Sequence, residues 1–485
     1  MKIRLFPFAA IAVVMASCSN EDVMELNPDP AGDALSFSIA VSHSRATETT
    51  VNNLGDFRVV AKGIHPHGEV YENFLIGDEN GGLKATKQSG SINTWDLEQN
   101  VYWPTSITSA VFWAYTCSQT RATDNSPVLP KDVKFGFETN NNNTAKLTGF
   151  SPVRANVTET SADGYWNDGA DQTDMLVAFK YQLRSDGATN VALDFKHALT
   201  QIDIKAQSKN KSENDHRIVK IKGAWFVRTK DTATLSAGFS TTKVDNIITG
   251  AEAKPVWKDF SFVDINKFSA YGSFYNTPRV LTKTSGAQDL LGSSLMLIPQ
   301  SLEGWNRLPK AEKPDSEKSD TEYDNDGAYI LLLCRVELEH DGDSHQEGDK
   351  IDDVVVKDGK HYHQQFPVNA ENKFNSLEYG FVCVPVTYKL EMGKKYQFTL
   401  DICGAASGAG YYPPVLSEEI QKTLIPASNS FKPFDKAAGP VSIVPRPSTK
   451  NVGDEVLDGP IQFNVSVSKW LPEGENNWTP GDVEL

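Results

Sequence analysis

The sequence has few cysteines, no excess of basic charge and no long apolar run beyond its first residues. Five cysteines in 485 residues are too few for a disulfide scaffold. Acidic residues outnumber basic ones by 63 to 47, and the resulting net charge of −16 argues against nucleic acid or an anionic membrane surface as a partner. No later stretch approaches the roughly 18 consecutive apolar residues of a membrane helix. We therefore expect a protein that binds no nucleic acid and has no transmembrane helix.

The sequence also lacks the motifs of the common enzyme classes. It contains no G-x-S-x-G, no H-E-x-x-H, no phosphate loop and no dinucleotide fingerprint. Carboxylates are plentiful, but nothing in the sequence places two of them across a cleft. The acidic segment 324–327 lacks the twelfth-position Glu of a calcium loop, so a polar turn is the better interpretation. We expect no enzymatic activity and no cofactor.

Histidines offer only incomplete metal sites. The segments HPH (65–67) and HYH (361–363) each place two imidazoles on one face of a strand, but neither has an evident third ligand. At His197 the apolar positions change from odd to even numbers, which predicts a bulge or tight bend. A hydrogen-bonded structural histidine is a better interpretation there than a catalytic residue or a metal ligand. The sequence thus predicts no metal site.

The dominant pattern is alternation of apolar and polar residues, which is typical of half-buried strands. Spacers rich in Gly, Asn, Asp, Ser and Pro separate these runs, and helical patterns of ten or more residues are scarce. The pattern predicts an all-β protein built of antiparallel β-sandwiches, and the length predicts two or three domains. The alternating sets include Leu35, Phe37, Ile39, Val41; Met175, Val177, Phe179, Tyr181; Ile330, Leu332, Cys334, Val336, Leu338; Tyr396, Phe398, Leu400, Ile402; and Ile461, Phe463, Val465, Val467.

Four cysteines remain once the N-terminal one is set aside. Cys117, Cys334 and Cys383 lie inside strand-like apolar runs, which favours buried free thiols. The even number, completed by Cys403, leaves disulfides open as the alternative.

The N-terminus has the pattern of an export signal. A basic start is followed by an apolar run, Leu5 to Met15, that is too short to span a bilayer and predicts a cleaved signal over residues 1–17. The small residues before Cys18 resemble the bacterial lipoprotein box, in which the thiol is acylated and becomes the new N-terminus. The polar and acidic cluster 19–22 resembles the export tag of Bacteroidetes surface lipoproteins. We expect lipidation at Cys18 and anchoring to the outer membrane, with a plain signal peptide as the alternative.

Six segments in a fixed order resemble the fimbrillin-like proteins of Bacteroidetes, the subunits of lipoprotein-derived pili. They are NVYWPTSITSAVFWAY (100–115), TDMLVA (173–178), LDFKHALTQIDIK (193–205), LMLIPQSL (295–302), LEMGKKYQFTL (390–400) and FNVSVSKW (463–470). The resemblance runs from Cys18 to about Trp470. It implies two tandem transthyretin-like antiparallel β-sandwich domains, no enzymatic activity, export as a lipoprotein, removal of an N-terminal strand by a protease, and polymerisation by strand donation between subunits.

On this basis the chain divides into four parts. Residues 1–17 are the lipoprotein signal peptide, and residues 18–45 are an acylated propeptide with a removable strand. Residues 46–210 form an N-terminal β-sandwich domain, and residues 211–485 form a C-terminal one with a candidate donor strand. The border lies in a polar stretch between apolar runs.

The removable strand is Leu35, Phe37, Ile39 and Val41, and the predicted cleavage lies between Arg45 and Ala46. Arg45 is the sole basic residue between Cys18 and Arg58, so a trypsin-like maturation protease has one cut there. Cleavage would leave an apolar groove and open strand edges that recruit a strand from another subunit. The candidate donor is Ile461, Phe463, Val465 and Val467, or else the tail with Trp470, Trp478, Val483 and Leu485. The alternative is that Arg45 is an exposed loop residue and the first strand is permanent.

Two departures from the family pattern leave the subunit type open. Thr116-Cys117 stands where the aromatic run is expected to reach a proline, which affects only a loop. In the tail, Pro472, Gly474, Asn476 and Asn477 interrupt a long donor strand, so a tip or accessory subunit is an alternative to a stalk subunit.

Three functions remain open at this point. The first is a structural or adhesive fimbrial subunit, located on the outer membrane and then in the fimbrium. The second is a monomeric surface glycan-binding lipoprotein that uses Trp166, Tyr411 and Tyr412 as exposed rings. The third is a secreted hydrolase, which requires paired acids or a metal in a cleft.

Overall fold

The computed structural model is all-β, as the alternating pattern predicts. The one α-helix among the described residues is short, Glu418–Leu424 (α1), and its N-cap Ser417 accepts a hydrogen bond from the backbone of Ile420. No helix of the described residues is long and apolar enough to cross a membrane. The structure describes residues 34–41, 54–65, 70–78, 81–91, 93–117, 134–138, 141–152, 158–160, 164–167, 169, 172–186, 189–209, 215–245, 247–264, 268–317, 326–341, 354–369, 373–425, 441–470 and 479–481.

The described residues form 29 strands. In order they are β1 (Ser36–Val41), β2 (Phe57–Ile64), β3 (Val70–Ile76), β4 (Leu83–Lys87), β5 (Trp95–Leu97), β6 (Ser109–Cys117), β7 (Lys134–Glu138), β8 (Asn141–Phe150), β9 (Thr158–Thr160), β10 (Gly164–Asn167), β11 (Met175–Leu183), β12 (Asn190–His197), β13 (Thr200–Gln207), β14 (Arg217–Val227), β15 (Thr232–Val244), β16 (Ile247–Ser261), β17 (Ala270–Leu281), β18 (Gln288–Asp289), β19 (Leu295–Leu297), β20 (Ser301–Leu302), β21 (Tyr329–Asp341), β22 (Val354–Lys357), β23 (Lys360–Phe366), β24 (Glu378–Pro385), β25 (Tyr388–Lys389), β26 (Lys394–Asp401), β27 (Ser442–Ile443), β28 (Gln462–Lys469) and β29 (Thr479–Gly481). Short 3-10 turns occupy Arg184–Asp186, Lys310–Glu312 and Asp315–Glu317.

The first sheet has eight strands and surrounds its own hydrophobic core. Its order is β3-β2-β4-β5-β1-β12-β11-β6, and β2 also pairs with β6, so all its strands except β3 form a closed circuit of pairings. The alternating residues of β1 and β12 point into this core together with aromatic rings from β2 and β6. Phe57, for example, packs edge-on against Phe195 with ring centroids 5.2 Å apart.

The second half of the chain builds a larger core between two further sheets. One has nine strands, with β14 between β17 and β21 at its centre, and the other has six, with β13, β26 and β28 side by side. Buried aliphatic residues from both sheets meet in one cluster, including Ile204, Ile221, Leu332 and Val465. This is the interior that the alternating pattern of β21, β26 and β28 predicts.

A four-stranded sheet, ordered β16-β15-β8-β7, covers the outer face of the eight-stranded sheet. Aromatic contacts join the two layers, with Trp113 against Phe137 at 5.6 Å and against Phe239 at 5.4 Å. The Trp113 indole N–H also donates to the backbone carbonyl of Ala237 (3.2 Å). The long β15–β16 hairpin therefore packs on the eight-stranded sheet.

The chain passes from the first sheet to the six-stranded sheet at Ala198-Leu199, between β12 and β13. This bend explains the change of apolar positions at His197, because the two strands face different cores. Segments also cross the predicted border at residue 210: β10 pairs with β17, and β15 pairs with β8. The division into 46–210 and 211–485 stays a prediction.

Strand direction differs from the expectation of purely antiparallel sheets. Three of the named strand pairs run parallel: β1 with β12, β13 with β26, and β24 with β27. The alternating pattern cannot reveal this, because both directions bury the same alternate positions. The expectation of buried free thiols is confirmed for Cys117, Cys334, Cys383 and Cys403.

Candidate functional site

Strand β1 lies inside the eight-stranded sheet, between β5 and β12. It pairs in parallel with β12 over its whole length, from Ser36 opposite Asn190 to Val41 opposite Phe195. On its other side it pairs with only two residues of β5. Further hydrogen bonds fix its start, since Leu35 N–H donates to the carbonyl of Val101 (2.8 Å) and Ile39 N–H to Asn93 Oδ1 (2.8 Å).

The predicted apolar residues of β1 fill the middle of the first core. Leu35, Phe37 and Ile39 are 2%, 0% and 3% exposed. The Phe37 ring packs edge-on against Phe57 and Phe112, with centroids 6.0 and 6.1 Å away. Burial of three such side chains contributes about 5–9 kcal/mol gross, before the entropy of ordering the strand. The structure describes the backbone pairing of Val41 but not its side chain.

Loss of β1 would open the sheet. Strand β12 would lose a partner along six residues, and β5 would lose its neighbour at Trp95 and Asp96. Unpaired N–H and C=O groups flanking an apolar groove are a template for another strand. Cys18, Arg45 and Ala46, the predicted lipidation and cleavage residues, lie outside the described residues.

The candidate donor residues lie along β28 of the chain's own six-stranded sheet. Ile461 directly precedes this strand, and Phe463, Val465 and Val467 lie within it. Strand β28 pairs antiparallel with β26 over eight residues. Ile461 and Val465 are buried, and Phe463 and Val467 are half-buried against the same core. Strand β29 pairs with only Val465 to Val467 of β28, at the end of the sheet. The interrupting tail residues Pro472, Gly474, Asn476 and Asn477 lie outside the described residues.

Trp470, directly after β28, is held by a buried histidine. Its ring stacks on His197 with centroids 4.0 Å apart and planes 8° from parallel. The Nδ1 atom of His197 lies 2.8 Å from Asp174 Oδ2, and both residues are almost fully buried. The backbone N–H of Trp470 donates to the carbonyl of Gly393 (3.0 Å). His197 therefore has the geometry of a hydrogen-bonded structural residue. Nothing in the sequence identified Asp174 or Trp470 as a partner of His197.

The aromatic residues considered for glycan stacking do not form an exposed platform in the part of the chain that the structure describes. Tyr412 is 4% exposed, which contradicts its expected role as a surface ring. Tyr411 is half-buried, bonds through its backbone to Cys383, and lies under the Arg307 guanidinium at 4.9 Å. The Trp166 side chain lies outside the described residues, although its backbone is in β10.

Two buried cysteines and the metal-ligating residue types were the remaining candidates for chemistry. Burial raises the pKa of the Cys334 thiol and of the Cys383 thiol well above the ordinary value, which keeps both protonated and unreactive. Among these residues, no three His, Cys, Asp or Glu side chains already stand in positions that hold a metal ion.

The chain is similar to fimbrial proteins in two comparisons. A fimbrillin-like family model matches residues 137–408, which is more than half of the chain. Solved structures with similarity include a fimbrial protein from Bacteroides vulgatus (13% identity, 75% of this chain and 94% of that one, TM-score 0.42). They also include proposed cell adhesion proteins from Parabacteroides distasonis (11%, 92% and 99%, 0.32) and Bacteroides eggerthii (10%, 90% and 97%, 0.31). No curated protein matches the chain.

Proposed function

Because this chain belongs to the fimbrillin-like family, we propose that it is a subunit of a cell-surface fimbria, exported as a lipoprotein and assembled by protease-triggered strand exchange. Membership of the family itself supports a fimbrial or adhesive role at the cell surface and a structural, non-enzymatic protein. The lipid anchor, the protease and the strand exchange are the parts that this proposal adds.

The observation that carries the proposal is the place of β1 in its sheet. Its apolar side chains fill the first core, and its covalent link to β2 and the later strands is the segment between Val41 and Phe57. Arg45 falls inside that segment, so a cut after it would sever β1 from β2. The strand would then be held by non-covalent contacts alone and could be exchanged for a strand from another subunit.

The same cut would remove the lipid. Cys18 precedes Leu35 by 17 residues, and an extended segment of that length spans at most about 60 Å. The lipid could therefore hold the precursor at the outer membrane while β1 occupies its groove. A trypsin-like protease would release lipid, acidic tag and β1 together, which makes this segment a delivery device.

We place the donor strand in the tail beyond Trp470 rather than in β28. Strand β28 fills the second core with Val465, and Trp470 fixes its end on His197. Strand β29, in contrast, pairs over three residues and lies at the end of the sheet, so releasing it breaks few hydrogen bonds. The tail from residue 471 to 485 includes Trp478, Val483 and Leu485 as apolar residues for the groove.

Tyr412 is buried and therefore cannot serve as an exposed ring for glycan stacking, and no specific observation among the described residues favours that function.

The test is to treat purified precursor with an arginine-specific protease and to follow its size by denaturing gel electrophoresis without boiling. Wild type should lose residues up to Arg45 and form a ladder of multimers. Arg45→Ala should stay uncut and monomeric. A ladder from the Arg45→Ala protein would overturn the proposed mechanism.

A further inference from the structure

Three histidines lie together on one face of the β21–β23 pair. His340 stands directly opposite His361 in the register of the two strands, and His363 follows two residues later on the same face. The His340 ring is 5.6 Å from the His361 ring and 4.9 Å from the His363 ring, measured between centroids. The sequence motif HYH lacked a third imidazole, and strand pairing brings one from 21 residues upstream.

The Nε2 atoms of two of these imidazoles point towards each other. His340 Nε2 and His363 Nε2 are 2.7 Å apart, so one of them donates a hydrogen bond to the other. His340 Nδ1 lies 2.8 Å from the backbone carbonyl of Asp341, which accepts its N–H. With Nδ1 protonated, the lone pair of neutral His340 is on Nε2 and points at His363. A backbone carbonyl on one ring nitrogen and a lone pair on the other is the usual state of a metal-binding histidine.

The distance between the two nitrogens is close to what a tetrahedral ion requires. Zinc–nitrogen bonds of about 2.1 Å at a tetrahedral angle separate two nitrogens by about 3.4 Å. The pair would have to open by only about 0.7 Å, with the ion replacing the proton between the rings. Of the three histidines, His363 also lines a pocket of about 150 Å³.

We propose that His340, His361 and His363 form a site for a divalent transition-metal ion of the zinc class. His340 and His363 supply the first two ligands through Nε2, and His361 completes the set by rotating its side chain on the same face. Three imidazoles with water in the fourth position are a donor set that zinc accepts. Lys373 lines the same pocket, and its positive charge weakens cation binding.

The ion would clamp a sheet edge. Strand β22 is the last strand of the nine-stranded sheet and is attached only through β23. An ion shared between β21 and β23 ties this edge hairpin to the centre of the sheet. Binding to the folded chain alone stabilises it by mass action, so zinc should raise its melting temperature. The inference is independent of the proposed assembly mechanism.

The test is calorimetric titration of the chelator-treated full chain with zinc chloride. We expect one ion per chain, with affinity at least about tenfold weaker in His340→Ala, His361→Ala and His363→Ala. His65→Ala is the matched control: His65 contacts Ser106 O at 3.2 Å in the first half of the chain, so its loss should leave the affinity unchanged. Circular dichroism checks that each variant is folded, and the electron paramagnetic resonance spectrum of bound Cu²⁺ should show nitrogen ligands.

Each contrary result has a definite meaning. Absence of saturable binding by the wild-type chain, or equal affinity in wild type and His363→Ala, overturns the site. Unchanged affinity in His361→Ala overturns the set of three ligands. A loss in His65→Ala equal to that in His363→Ala places the ion elsewhere.

Discussion

At the scale of single residues, Trp470 connects the two halves of the chain. Its ring stacks on His197, which ends β12 of the first sheet, while its own strand β28 belongs to the six-stranded sheet. Asp174 orients the imidazole from the other side at 2.8 Å. A buried aromatic ring on a buried polar pair gives this junction both packing and a fixed orientation.

Trp470→Ala should therefore lower the free energy of unfolding by about 3–5 kcal/mol, as large-to-small changes at buried aromatic residues do. Denaturant titration of the purified chain measures the change. Val415→Ala, at a residue that is 75% exposed, is the matched control and should shift stability by less than about 0.5 kcal/mol. A loss below about 1 kcal/mol for Trp470→Ala would mean that the ring is dispensable at the junction.

At the scale of elements, β1 is a core strand of the eight-stranded sheet and the first strand among the described residues. Phe37 and Ile39 of β1, and Leu35 just before it, are almost fully buried, and the parallel pairing of β1 with β12 joins residues about 154 positions apart. A strand that is discarded on maturation would stabilise the precursor and contribute nothing to the polymer. The two states can therefore be compared through one substitution.

We expect Phe37→Ala to destabilise the uncut precursor by about 3–5 kcal/mol while leaving the melting temperature of assembled polymer unchanged. Thermal melting of both forms, followed by circular dichroism, measures the two effects. Phe398→Ala, in the second core that stays in the subunit, serves as control and should lower both. If Phe37→Ala lowers the melting of the polymer as well, β1 is a permanent strand and not a removable one.

Local patterns predicted the strands but not their long-range partners. Alternation identified β1, β26 and β28, because a half-buried strand places apolar residues at every second position. It also identified β11 and β21, although both faces of these two strands are largely buried. Direction and partner depend on contacts between distant segments, so the parallel pairing of β1 with β12 carried no local signal. The hairpin β15–β16 likewise joins β8 across the predicted domain border, which only the folded chain reveals.

Part of the candidate site could likewise be predicted from the sequence, and part could not. The apolar residues of β1 could be named from sequence, since burial and alternation coincide there. The seating of β28 and the stacking of Trp470 on His197 could not, because they depend on strand order. The third imidazole, that of His340, could not be predicted either, because the register of β21 with β23 is what places it beside HYH.

At the scale of the whole molecule, the proposed subunit has two separate functional ends. The groove left by β1 lies in the eight-stranded sheet, and the proposed donor tail follows Trp470 and contains β29, the last strand of the six-stranded sheet. Two variants can therefore be made. One accepts a strand but cannot donate one, and the other donates a strand but cannot accept one. Truncation after Trp470 gives the first, since it keeps β28 and its anchor but removes residues 471–485. Arg45→Ala gives the second, since β1 stays attached.

Mixing these two chains with an arginine-specific protease should give heterodimers and nothing larger. The truncated chain loses β1 and receives the tail of an Arg45→Ala chain, and neither partner of that pair can extend further. Each chain alone should remain monomeric, and adding the truncated chain to wild type should shorten the ladder, because every truncated subunit ends a growing polymer. Size-exclusion chromatography with light scattering distinguishes these species. A ladder from the truncated chain alone would place the donor in β28 or upstream of it, whereas species larger than dimers in the mixture would mean that uncut subunits also accept a strand.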